Sequence, residues 1–267
     1  MMDIIKISSP DAKGTANLNI VTEGIDICMY STGKIEKLIP EKVTNKVNYY
    51  YIDSKSEKIF LKQLIFRQHP WRQTAGAEQK YGIGGQKLNY CQLIDYRHFS
   101  EYNSNGIKFK LIPGSLNSKR FYVDIEAFAI LLLACILENT TDLVFNGFST
   151  QDGNTAGGSS SHLNGMIGDV GYFSIKKDGS SEHLFTNHST KQMNPQFDYE
   201  REKRFTRQLH QLGCSQYNRS MLSEFFMKDG KKCLLPFCDN YAKGKVRHYH
   251  HLHIQGIKTS LIIVKAK

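Results

Sequence analysis

Short apolar runs separated by polar, turn-rich pieces dominate the first hundred residues of the chain. Runs of this kind stand at residues 18–30, 47–54, 58–66 and 88–96. Their length and their β-branched and aromatic residues predict strands or short mixed elements. We therefore treat residues 1–105 as an N-terminal extension or subdomain whose role the pattern does not indicate.

The pattern becomes more regular from residue 106. A helix is predicted over residues 123–140, with Asp124 as its N-cap, and a second over residues 197–213, where Gly213 ends the helical spacing. Strands are predicted around these helices, at residues 106–112, 142–148, 169–175, 246–256 and 260–267. This order predicts an α+β fold, a mainly antiparallel sheet with flanking helices, and a catalytic domain over residues 106–267.

Composition and charge narrow the class of protein. A chain of 267 residues with 40% hydrophobic content can bury a substantial core. Its formal charge of +10 favours acidic partners such as nucleic acid, anionic lipid or an anionic cell-wall polymer. The most apolar segment, residues 127–137, is shorter than the roughly 20 residues that cross a bilayer. It therefore predicts a buried helix and no membrane span.

The six cysteines are scattered and form no CxxC pair. Cys233 and Cys238 are close enough in sequence to pair in an oxidising compartment, but this spacing is weak support for a disulfide. We expect two free thiols.

A cluster of histidines, "HYHHLH", occupies residues 248–253. Side chains alternate faces along a strand, so His251 and His253 are expected on one face and His250 on the other. Two imidazoles on one face can bind one metal ion. A catalytic zinc usually takes three protein ligands, so further ligands must come from elsewhere in the chain.

The best further candidates are His162 and Asp169, which lie in "SSSHLNGMIGDVGYF", residues 159–173. Gly165 and Gly168 stand between them and would let the backbone bend so that both side chains converge.

Both motifs resemble those of a known family. Residues 160–170, "SSHLNGMIGDV", resemble the SxHxxGxAxDV signature of the zinc peptidases grouped with lysostaphin, the D-Ala-D-Ala carboxypeptidases and sonic hedgehog. "HHLHIQ", residues 250–255, is similar to the "DHLHVR" type of ending in penicillin-insensitive murein endopeptidases. The resemblance covers about residues 106–267. It departs at Ile167, where the family has alanine, and at residues 149–153, which lack the arginine that would bind a substrate carboxylate.

The resemblance implies a hedgehog/DD-peptidase-like zinc peptidase fold and a division of roles among four residues. His162, Asp169 and His253 would bind Zn²⁺, and His251 would stay off the metal and act as the base beside the bound water. The implied reaction is hydrolysis of a peptide crosslink in the bacterial cell wall, by a peptidoglycan (murein) endopeptidase that we expect to be of the D,D type.

Several assignments stay open at this point. His248 or His250 could act as the base if a bulge shifts the faces of the strand. Gln151 and His250 are weaker candidates for substrate binding, since a loop glutamine more often faces water. His183 and His188 are expected at the surface.

Two other functions compete with the peptidase. One is a metal-dependent nuclease toxin, although the chain lacks an HNH-like pattern and a pair of acidic metal ligands. The other is a non-catalytic, zinc-containing cell-wall-binding module. No secretory signal is visible at the N-terminus. We therefore expect an antibacterial effector delivered by a type VI-like secretion machine, or a phage-type endolysin. It would act in the periplasm or cell wall of a target cell.

The expected partners follow from this function. They are peptidoglycan peptide stems, an immunity protein and a component of the secretion machine. No nucleic acid is expected.

Overall fold

The structure is a computed structural model that describes residues 23–114, 119–156, 161–243 and 246–267. The stretch at the N-terminus in which no secretory signal is visible lies outside the described residues, as does Ser160 of the first motif. Among the described residues, none of the helices has the length and apolar character that crossing a membrane requires.

The chain is mostly β, with 40% strand and 15% helix. The prediction of an α+β fold with flanking helices is therefore wrong. Both predicted helices do form, as α1 (Ile125–Leu137) and α2 (Tyr199–Gln211), but no other α-helix occurs in the described ranges. Moreover, α1 is buried on all sides, so it lies inside the core and does not flank a sheet.

The strands that precede α1 come mainly from the N-terminal region. They are β1 (Ile25–Tyr30), β2 (Ile35–Ile39), β3 (Lys46–Ile52), β4 (Lys58–Ile65), β5 (Arg67–Pro70), β6 (Tyr90–Asp95), β7 (Glu101–Ser104), β8 (Ile107–Pro113) and β9 (Tyr122–Asp124).

The strands that follow α1 are shorter. They are β10 (Leu143–Gly147), β11 (Gly168–Val170), β12 (Tyr172–Phe173), β13 (Ser181–Glu182), β14 (Met221–Ser223), β15 (Phe226–Lys228), β16 (Lys231–Cys233), β17 (Cys238–Asn240), β18 (Ala242–Lys243), β19 (Val246–Arg247), β20 (Leu252–Ile254) and β21 (Ile263–Ala266).

Two mixed sheets carry most of these strands. A seven-stranded sheet has the order β17-β14-β20-β11-β10-β8-β7, and a five-stranded sheet has the order β21-β2-β1-β3-β4. A three-stranded sheet, β5-β6-β9, and three two-stranded ribbons complete the fold. The seven-stranded sheet places β11 and β20 side by side at its centre, and these two strands bear Asp169 and His253 of the predicted site.

Helix α1 packs against strands of all three larger sheets, namely β1, β6, β8 and β9. Its apolar sequence suits this place, because a helix that is hydrophobic all round needs partners on every side. The predicted N-cap is confirmed, since the Asp124 carboxylate accepts a hydrogen bond from the Glu126 backbone N–H. The predicted stop is confirmed as well, since Gly213 follows the end of α2 with φ +116°.

A buried network of four charges joins the N-terminal sheet to the start of α1. The Lys37 ammonium lies 2.6 Å from Glu126, and the Lys80 ammonium lies 2.8 Å from Asp124. Lys80 also lies 3.6 Å from Glu126, so each cation has an anionic partner. The division into residues 1–105 and 106–267 stays a prediction, but this network crosses it, as does the parallel pairing of β21 with β2.

Glu202, on α2, is fully buried and predicts a pH-dependent stability. One carboxyl oxygen accepts a hydrogen bond from the Phe173 N–H, and Oε1 has no hydrogen-bond partner among the described residues. Burial raises the pKa of Glu202 from 4.5 to about 8. Between these two pH values the folded protein holds a proton that the unfolded chain releases. The free energy of unfolding should therefore fall as the pH rises through this window, by at most about 1.4 kcal/mol per pH unit.

Glu202→Gln should remove this slope, because an amide has no charge to bury. Urea unfolding at several pH values from 5 to 8 measures it, with Glu200→Gln as the control because Glu200 is an exposed residue of the same helix. A slope that is equal in wild type and Glu202→Gln would contradict the assignment.

Candidate metal centre

The register of β11 against β20 places Asp169 directly opposite His253. His253 Nδ1 lies 2.8 Å from Asp169 Oδ1, and His251 Nε2 lies 3.4 Å from the same oxygen. His251 and His253 thus share one face of the chain, as strand alternation predicts. The imidazoles of His253, in β20, and of His251, just before it, converge with the carboxylate of β11 on one point.

His162 reaches this point from the loop before β11. Its Nε2 lies 3.2 Å from Asp169 Oδ2, and its Nδ1 lies 3.0 Å from the backbone oxygen of Phe148. A carbonyl oxygen only accepts, which favours a proton on Nδ1, but the Arg120 guanidinium, which only donates, lies 2.7 Å from the same nitrogen and 3.1 Å from Nε2. These contacts therefore fix the position of the His162 ring and not its tautomer.

Glycines shape the loop between the two ligands, for two different reasons. Gly165 has φ +66°, and a Cβ there would lie 2.6 Å from both the Asp124 backbone nitrogen and Leu93 Cδ2. Gly168 has an ordinary φ, but a Cβ there would enter the ring of Phe148. The expectation that both glycines let the backbone bend therefore applies to Gly165, whereas Gly168 permits close packing.

Gly165→Ala should destabilise the protein strongly. The substitution combines a positive φ, which costs roughly 1–2 kcal/mol, with crowding against backbone, which costs about 1–3 kcal/mol. The control is Gly230→Ala, since Gly230 has φ +73° and nothing within 4 Å of an added Cβ. Chemical denaturation measures both variants, and equal losses in the two would show that the contact with Asp124 does not matter.

Asn164 ties the same loop to the N-terminal region. Its side-chain oxygen accepts a hydrogen bond of 2.9 Å from the Arg72 N–H, and its amide donates one of 2.7 Å to the Arg72 oxygen. Asn164 is fully buried and has φ +61°, a backbone conformation that asparagine tolerates better than most residues. These two hydrogen bonds fix the loop that carries His162 against the backbone of Arg72.

Burial sets the protonation states at the centre. It lowers the pKa of His251 to about 3 and lowers the pKa of His162, so both imidazoles are neutral at neutral pH. Burial works to raise the pKa of Asp169, but the surrounding histidines outweigh it and hold that pKa well below its usual value. Neutral imidazoles beside an ionised carboxylate are the protonation states that metal binding requires.

The ligand atoms of His162, Asp169 and His253 all lie within 4.8 Å of one another, and all three residues are buried. Imidazole nitrogen and carboxylate oxygen are donors that suit zinc and other late first-row metals. The structure therefore contains a buried, histidine-rich group that could bind a metal ion.

Arg120 also lies at this centre, although the sequence analysis did not single it out. Its Nη1 lies 2.7 Å from His162 Nδ1 and 3.4 Å from Asp169 Oδ2. Its buried Nε has no hydrogen-bond partner in the part of the chain that the structure describes. Residues 149–153 lack an arginine, but the segment just before β9 supplies one. The Arg120 carbonyl accepts a hydrogen bond from the Phe148 N–H, and Tyr122 pairs with Ser149, so Arg120 lies beside the strand end that precedes residues 149–153. No local sequence signal marks such a position.

The other candidate residues have different contacts. His250 is half-buried, and its Nδ1 lies 2.6 Å from His251 Nδ1. Gln151 is exposed, and its side-chain oxygen lies 3.4 Å from the Tyr122 hydroxyl. His183 and His188 are exposed, as predicted. All six cysteines are free, in agreement with the expectation of two free thiols at Cys233 and Cys238.

No protein-family model matches the chain, and comparisons with curated proteins and with solved structures found no match either. The geometry of the metal centre and the two sequence motifs therefore carry the functional argument by themselves.

Proposed function

We propose that the protein is a zinc-dependent peptidoglycan endopeptidase that hydrolyses peptide crosslinks of the bacterial cell wall. The observation that carries the proposal is the convergence of His162, Asp169 and His253 on one buried point, with His251 beside them. These are the four residues to which the motif resemblance assigns zinc binding and proton transfer.

His162, Asp169 and His253 would hold the zinc ion. When bound, zinc supplies a Lewis acid for the scissile carbonyl and lowers the pKa of a bound water to roughly 7. The chain supports this set beyond the ligands themselves, because the Phe148 carbonyl orients the His162 ring. Such outer contacts orient the ring of a metal-binding histidine.

His251 would move a proton at Nε2, the nitrogen that lies 3.4 Å from Asp169 Oδ1. In the proposed reaction it accepts the proton of the attacking water as the water oxygen bonds to the carbonyl carbon. It then returns that proton to the amide nitrogen as the carbon–nitrogen bond breaks. Burial lowers the pKa of His251, so the ring is neutral before the reaction and can accept a proton. The Asp169 carboxylate, 3.4 Å away, stabilises the imidazolium between the two steps.

Arg120 supplies the positive charge that residues 149–153 lack. Its Nη1, 3.4 Å from Asp169 Oδ2, can donate a hydrogen bond to a carboxylate or to the developing oxyanion of the substrate. A guanidinium at this centre suits a substrate that carries a carboxylate near the scissile bond.

The delivery route belongs to the same proposal. The formal charge of +10 suits an anionic wall polymer. We propose an antibacterial effector that acts in the periplasm of a target cell, with a phage-type endolysin as the alternative. An effector would need an immunity protein in the producing cell and a component of the secretion machine as partners.

Digestion of purified sacculi tests the function against its competitors. The zinc-loaded protein is incubated with sacculi and, separately, with plasmid DNA, each with and without a chelator. Chelator-sensitive release of uncrosslinked muropeptides, identified by mass spectrometry, is the expected result. Cleavage of the plasmid alone would support the nuclease, and binding to sacculi without release would support the non-catalytic module. Either outcome would overturn the proposal.

A further inference from the structure

A second histidine group lies next to the first. The ligand nitrogens of His248, His251 and His253 also lie within 4.8 Å of one another. The ring centroid of His248 is 5.0 Å from that of His251 and 5.5 Å from that of His253. His253 thus belongs to both groups, and Asp169 belongs only to the first.

His248 is held in the way that a metal-binding histidine usually is. Its Nδ1 lies 3.0 Å from the backbone oxygen of Tyr241, so the ring proton is on Nδ1 and the lone pair is on Nε2. Its backbone N–H donates to the buried Glu224 carboxylate at 3.1 Å. That carboxylate is fixed in turn by Arg247 at 2.8 Å and Lys191 at 3.3 Å.

His251 is oriented too. Its Nδ1 faces His250 Nδ1 at 2.6 Å, which leaves Nε2 on the side of Asp169 and His253. His248 and His253 are each 4% exposed, whereas the His251 side chain is 12% exposed. An ion could therefore enter past His251 without unfolding the surrounding strands.

We propose that His248, His251 and His253 form a second position for a late first-row divalent cation such as Zn²⁺, Co²⁺ or Ni²⁺. Three imidazoles without a carboxylate favour these metals over Mg²⁺ and Ca²⁺, which prefer oxygen ligands. Because His253 is common to both groups, one ion fills either the first position or the second. An ion in the second position occupies His251, so that form of the protein has no free base.

Cobalt binding to the full chain tests the second position without measuring hydrolysis. Co²⁺ content after equilibrium dialysis and the visible absorption of the bound ion are compared in wild type, His162→Ala, His248→Ala and the double variant. Wild type and His248→Ala should each bind one ion with the same spectrum. His162→Ala should still bind one ion, more weakly and with a changed spectrum, and the double variant should bind none. His183→Ala removes an exposed histidine whose ring centroid lies 6.2 Å from that of His250, and this variant controls for adventitious binding.

The inference is overturned if His162→Ala binds no more cobalt than the double variant. Thermal melting shows whether each variant folds, and Asp169→Asn removes the first position in a second way if His162→Ala does not fold. The result is separable from the proposed function. Wild type that binds one ion but does not cleave sacculi would contradict only the peptidase, whereas loss of cobalt from both His162→Ala and Asp169→Asn would contradict only the second position.

Discussion

His253→Ala should leave the protein without its bound metal ion and without activity. His253 belongs to both histidine groups, so its loss removes a ligand from either position that the ion could take. The loss in affinity should exceed the roughly 10- to 100-fold that removal of an outer contact of a metal ligand costs. Metal analysis of the purified variant after dialysis measures it, together with digestion of sacculi.

A matched control for this substitution is His183→Ala. His183 is exposed and lies near the same strand, with its ring centroid 6.2 Å from that of His250. This variant should keep both metal and activity. If His253→Ala is folded by its melting curve and still retains one tightly bound ion, the assignment of His253 as a ligand is wrong.

His251→Ala should separate catalysis from metal binding. His251 is not one of the three ligands of the first position, so the variant should bind one ion as wild type does. Its turnover should fall by about 10²- to 10⁴-fold, which is the usual contribution of a positioned acid–base group. Muropeptide release over time and metal content, measured on the same preparation, give the two quantities.

The opposite pattern would change the roles. If His251→Ala loses the ion and His162→Ala keeps it together with full activity, then the working metal position is the one formed with His248. If His251→Ala keeps both metal and turnover, the base is another group, and His248→Ala is the variant to examine next.

The sequence indicated which side chains come together better than it indicated what surrounds them. The spacing of His162 and Asp169, and the alternation of His251 and His253, are local patterns, and the structure brings all four side chains together. Arg120 reaches the same point through contacts with residues 148 and 149, which are distant in the chain. Such pairing leaves no periodic signal, so the sequence analysis could not single out Arg120.

In the fold, too, features set by neighbouring residues were predicted, and features set by contacts between distant residues were not. The all-apolar segment at residues 127–137 correctly predicted a buried helix, and Asp124 marked its start. That the helix lies between sheets depends on how distant strands pair, for example on β21 joining β2 in parallel. Parallel pairing across most of the chain cannot be inferred from alternation within either strand. The fold class was predicted wrongly because the strands after α1 are only two to five residues long, too short for alternation to mark them.

The most direct measurement is cleavage of a purified, D,D-crosslinked muropeptide dimer by the protein in three states: as zinc-loaded protein, after removal of the metal by a chelator, and after zinc is restored. Mass spectrometry follows the conversion of dimer to monomers. We predict monomers with the loaded protein, none with the metal-free protein, and recovery when zinc is added back. Intact dimer in the presence of folded protein that holds one zinc ion per chain would contradict the account.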